Sequence, residues 1–71
     1  MADSVYKVIE LVGTSTESWE KAARTAVERA SQSLRDLRIA EVAELDMQIT
    51  NGKVEAYRAK LTVSFKFEGQ Q

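Results

Sequence analysis

The side chains best suited to chemistry fall in two short stretches: the carboxylates Glu41, Glu44 and Asp46, and the cations Arg58, Lys60 and Lys66. In a strand, Glu44 and Asp46 share a face and stand about 6.6–7 Å apart along it. A hard cation takes several oxygens, so two carboxylates supply only part of a site. Symmetry-related copies would have to complete it. No EF-hand spacing occurs. Glu44 and Asp46 are thus candidate metal ligands, against the plainer reading of a solvated strand face. The three cations form a basic row on one face of a second strand. Repeated by symmetry, that row would attract phosphate-bearing ligands such as nucleotides or coenzyme A. The simpler expectation is that it pairs with Glu44 and Asp46 across a strand boundary.

Catalysis finds little to work with. The chain has no His and no Cys, which removes imidazole bases, thiolate nucleophiles, the usual zinc ligands and histidine-ligated haem. No nucleophile–base pair is present, so no enzyme is expected. Gly13-Thr14-Ser15 precedes a helical pattern and could cradle an anion, but it lacks a phosphate-loop pattern and N-capping explains it. Trp19 is the only tryptophan. It reads either as a stacking platform or as an anchor of the helix stripe, and its spacing with Ala22, Ala23 and Ala26 favours the anchor.

Seventy-one residues make one small domain, 1–71. A lone core of this size rarely leaves more than about 3–5 kcal/mol net, and disulfides are excluded. Subunit association is the remedy left. Ten basic against eleven acidic residues give a net charge of −1, so no global basic field points to nucleic acid. A hydrophobic fraction of 44% with 30% charged residues is that of an ordered, soluble chain. Apolar runs never exceed two residues, too short for a membrane span or a signal-peptide core, and a cytoplasmic location is expected.

The elements that must position these residues follow from periodicity. Ser4–Val12 is rich in β-branched residues, apolar on both parities, and predicts a strand ending at Gly13. Thr14 or Ser15 then caps a helix over roughly 16–36, whose stripe is Trp19, Ala22, Ala23, Ala26, Val27, Ala30, Leu34 and Leu37. Arg38–Thr50 alternates: Ile39, Ala43, Leu45, Met47 and Ile49 on one face, Ala40, Val42, Glu44, Asp46 and Gln48 on the other. Asn51-Gly52 predicts a type I′ hairpin. In the return strand Val54–Phe67, Tyr57, Ala59, Leu61, Val63, Phe65 and Phe67 oppose Arg58, Lys60, Thr62, Ser64 and Lys66. Met1–Asp3 and Glu68–Gln71 are polar ends expected to fray. The fold class is α+β, in the order β-α-β-β: a three-stranded antiparallel sheet on one long helix, the first strand pairing with the third. One helix covers one face of such a sheet, so the other face and the strand edges call for assembly.

Val5-Tyr6-Lys7-Val8-Ile9-Glu10-Leu11-Val12-Gly13-Thr14-Ser15 before a helix resembles the opening of the dodecins. Leu37-Arg38-Ile39-Ala40-Glu41-Val42 and Tyr57-Arg58-Ala59-Lys60-Leu61-Thr62-Val63-Ser64-Phe65 resemble that family's second and third strands. The resemblance implies a homododecameric hollow shell that binds or stores a small ligand. Many members bind flavins (riboflavin or FMN) pairwise at subunit contacts, through a second-strand tryptophan that stacks on the ring and a third-strand glutamine that hydrogen-bonds it. Those positions are Ile39 and Arg58 here. Isoleucine has no π face and arginine cannot accept a hydrogen bond, so weak or lost flavin binding is expected. Ser18-Trp19-Glu20 and Asp46-Met47 look more like a non-flavin branch linked to calcium. A flavin-storing dodecin, a calcium-binding shell and a purely structural shell are the alternatives.

Overall fold

The structure is a computed structural model that describes residues 3–66. Four elements follow one another: strand β1 (Tyr6–Ser15), helix α1 (Trp19–Ala30), strand β2 (Leu37–Thr50) and strand β3 (Lys53–Lys66). β3 is central, with β1 and β2 each antiparallel to it in the order β1-β3-β2. β1 and β2 therefore run parallel on its two sides, and the helix crosses between them, as the sequence predicts. Phe67, expected as the last inward residue of β3, lies outside the described residues, as do the polar tail and the first two residues of the polar start.

β1 does not stop at Gly13. It continues to Ser15, pairing Gly13 with Ala59 and Ser15 with Tyr57. Gly13 serves a close approach instead. A Cβ there would collide with the Ala22 carbonyl oxygen and stand 2.9 Å from the Ala26 Cβ. The alanine stripe lets the helix sit directly on β1, and Gly13 is the seat.

The helix is shorter than the predicted 16–36. It starts later because Ser15 is used up in the turn, its Oγ accepting from the Glu17 amide at 2.9 Å. Ser18 takes over as N-cap, accepting from the Lys21 amide at 3.0 Å. It ends at Ala30, where Ser31-Gln32-Ser33 favours turns over helix. Bonds from Gln32 to Arg29 and from Ser33 and Leu34 to Ala30 close that end. Asp36, in the left-handed region at φ 58°, then turns the chain into β2. Leu34 thus lies in the connection and Leu37 opens the strand.

The core is small: Ala22, Ala30, Ala59, Leu61 and Val63. Helix α1 covers β1 and β3, while β2 is exposed along nearly its whole length beyond Leu37. The β2–β3 hairpin closes on Asn51 (φ 53°) and Gly52 (φ 77°), the predicted type I′ pair. Thr50 Oγ1 donates to Glu55 across its base.

The strict alternation expected of β2 is broken. Register shifts fall between Leu37 and Ile39, Val42 and Glu44, and Gln48 and Ile49. At the first two, Arg38 and Ala43 are extra residues of β2 and the residues that follow move to the opposite face, whereas at the third the extra residue is Glu55 of β3. Ala40 and Val42 oppose Val63 and Leu61 on the helix side, and after the second shift Leu45 and Met47 oppose Ala59 and Tyr57 on that same side. Ile39, Glu41, Glu44 and Asp46 all fall on the open side. The grouping of Ile39 with Leu45 and Met47 is thereby corrected.

Candidate functional site

The open face of the sheet, away from the helix, carries the candidate residues as a grid. Reading across β1, β3 and β2, its rows are Val8–Ser64–Ile39, Glu10–Thr62–Glu41, Val12–Lys60–Glu44 and Thr14–Arg58–Asp46. The Val8–Ser64–Ile39 row carries no charge, and each of the other three carries at least one carboxylate, with Lys60 and Arg58 beside Glu44 and Asp46 in the last two. Val8 (58% exposed), Val12 (56%) and Ile39 (65%) are the apolar side chains most open to water in these rows. Beside Ile39, Tyr6, Arg38 and Ser64 line an open depression of about 460 Å³.

Arg58 and Asp46 meet directly. Arg58 Nε donates to Asp46 Oδ1 at 2.7 Å, and Nη2 donates to Oδ2 at 2.9 Å. This parallel two-point contact is the strong geometry for a guanidinium and a carboxylate. The arginine hydrogen bond holds the Asp46 carboxyl below its ordinary value, with the arginine's charge acting in the same direction. The same bond, seconded by the carboxylate charge, raises Arg58. Both side chains remain about half exposed, at 46% and 50%. The expected cross-strand pairing of the basic row is therefore realised at Arg58, and Lys60 stands opposite Glu44 in register.

Ile39 and Arg58 share the open face without touching. Ile39 opposes Ser64, and Ser64 to Arg58 is six strand steps, about 20 Å. Glu44 and Asp46 also share it, but both Asp46 oxygens are engaged by Arg58. Among the described residues no cluster of three or more His, Cys, Asp or Glu is placed to hold a metal within one chain.

Trp19 lies on the other side of the sheet. Its indole N–H donates to the Asp46 backbone carbonyl at 2.9 Å. Its ring meets Tyr57 edge-on, with centroids 5.0 Å apart. It is the anchor that its spacing suggested. The Asp46 carbonyl as its partner was not legible in sequence, because it depends on the bulge that re-aims β2.

Residues 5–68 match the dodecin family profile. The chain is 52% identical over 68 residues to the calcium dodecin of Mycobacterium tuberculosis, covering 96% of each chain. It is 44% identical over 64 residues to the dodecin of Thermus thermophilus, covering 90% of this chain and 93% of that one. The solved structure of the M. tuberculosis protein, described as a calcium-chelating antigen with a novel calcium-binding site, matches with a TM-score of 0.83 at 54% identity. That match covers 96% of this chain and 97% of the other. The dodecin of Streptomyces coelicolor matches with a TM-score of 0.91 at 40% identity, covering 99% and 100%. Among the described residues no helix is long and apolar enough to cross a membrane. Element order, the central third strand and near-complete coverage by these relatives agree: the chain belongs to the dodecin family.

Proposed function

We propose that this chain is the subunit of a cytoplasmic, homododecameric hollow shell that binds or stores a small ligand without catalysis, and that flavin binding is weak or lost. The separation of Ile39 and Arg58 supports this most directly. Both occupy family ligand positions on one open face, yet about 20 Å of strand lies between them. A small ligand touching both positions needs more than one copy of the chain. The exposed apolar side chains of that face, Val8, Val12 and Ile39, call for the same remedy. Weak flavin binding follows from the residue types: Ile39 offers no ring to stack on, and the Arg58 fork is already engaged by Asp46.

Calcium is the second reading, favoured by the 52% identity to a protein named for it. Glu44 and Asp46 are then the ligands, completed by symmetry copies. Riboflavin or FMN storage is the reading against which both are set.

Mass spectrometry of the natively purified assembly tests the proposal by giving subunit number and ligand mass together, with elemental analysis for calcium. Twelve copies without flavin are expected. A stable monomer or dimer at micromolar concentration in the ultracentrifuge, or one flavin per site, overturns it.

A further inference from the structure

We propose that Asp46 is the specificity-determining residue of the open face, acting as an internal occupant of an oxyanion site built on Arg58. A guanidinium presents two parallel N–H donors that fit a carboxylate or a phosphate equally well. In this structure Asp46 takes both, at 2.7 and 2.9 Å, from the adjacent strand. The same face continues with Lys60, two residues along β3, so a second cation stands next to the fork. Glu44 lies opposite Lys60 in register.

The pair is not a buried structural tie. Both partners are about half exposed, so the fork opens to water and an incoming anion can reach it. The framework also persists without the carboxylate. The β2 backbone at residue 46 is held from the opposite side by the Trp19 indole, which bonds the Asp46 carbonyl and not its side chain. Removing the Asp46 charge thus releases one donor outright and weakens the hold on the other while leaving the strand in place. In the unmodified chain a phosphate-bearing ligand must displace a carboxylate that is covalently part of the sheet, and the site stays closed to it.

The inference rests on the proposed reading only in taking this face as the ligand face. Riboflavin carries no phosphate, so its binding reports on that reading alone, and inorganic pyrophosphate reports on the fork. Calorimetric titration of the assembled protein with pyrophosphate compares the unmodified chain with Asp46→Asn and with Asp46→Asn/Arg58→Gln. Asp46→Asn is expected to bind about ten-fold more tightly or better, the scale of a charge-assisted hydrogen bond. The double variant is expected to fall back to the unmodified level. No gain in Asp46→Asn, or a gain that survives loss of Arg58, overturns the proposal. Should Asp46→Asn fail to assemble, Asp46→Ser takes its place in the same comparison with the same expected gain, and pyrophosphate binding by the unmodified chain that Arg58→Gln abolishes shows the fork already open and overturns the proposal.

Discussion

Trp19 on the helix and Asp46 on the second strand are joined through a main-chain carbonyl, with the indole N–H 2.9 Å from the Asp46 oxygen. This bond fastens the N-terminal end of a helix that otherwise rests on β1 and β3. Asp46 is thereby held from both sides of the sheet: its backbone by Trp19 on the helix face, its carboxylate by Arg58 on the open face.

Trp19→Phe keeps an aromatic ring against Tyr57 but removes the donor. A net loss of about 0.5–1.5 kcal/mol is expected, the usual contribution of one hydrogen bond. Trp19→Ala is expected to lose more, because the edge contact at 5.0 Å goes as well. Urea unfolding of the unmodified chain and both variants measures these losses. Equal stability of Trp19→Phe and the unmodified chain would show that the indole N–H contributes nothing.

Gly13→Ala tests the seat of the helix. The added methyl meets a backbone carbonyl of Ala22, not the tip of a flexible side chain, so helix or strand must shift. Overpacking of this kind costs about 1–3 kcal/mol. A clear fall in melting temperature is expected, and an unchanged one would mean that the helix can slide away freely.

The acid response of the Asp46–Arg58 pair has a definite sign. The folded-state value of Asp46 is lowered from 3.8, so its contribution is fully present above that value. It is lost as pH falls below 3.8 through the lowered folded-state value. Arg58 stays charged throughout. Unmodified protein is expected to be more stable than Asp46→Asn at neutral pH, with the gap closing in acid. Chemical denaturation at a series of pH values measures it, and a gap independent of pH would contradict the pairing.

Most of the fold was legible because its signals are local. Asn51-Gly52 sets the hairpin, and the alternation Tyr57-Ala59-Leu61-Val63 identifies the central strand's buried face. The same alternation placed Arg58 opposite that face, and proximity in a hairpin made Asp46 its natural partner. The errors on β2 share one physical origin. A bulge leaves no trace in a period-two pattern, so the face of Ile39 was misassigned and the contact between Trp19 and the Asp46 carbonyl went unforeseen. The sequence points to Thr14 or Ser15 as the helix cap, although Ser18, the cap in the structure, has the same capacity. Tertiary seating of Ala22 on Gly13 chooses among them.

Flavin affinity can be restored by design if the two substituted positions are what removed it. Base–aromatic stacking contributes roughly 1–3 kcal/mol per contact in nucleic-acid systems, a loose analogue for a stacked isoalloxazine. At 1.4 kcal/mol per tenfold, loss of such a contact weakens binding about five- to a hundred-fold. Ile39→Trp returns the ring to the exposed row beside Ser64. Arg58→Gln supplies a group that both donates and accepts. The double variant is therefore expected to quench riboflavin fluorescence at concentrations where the unmodified protein does not, with sedimentation unchanged. Each single change should give part of the effect, Ile39→Trp the larger. Tight stoichiometric quenching by the unmodified protein would show that Ile39 and Arg58 already make a flavin site. Failure of the double variant in an intact assembly would move the cause to other residues of the open face.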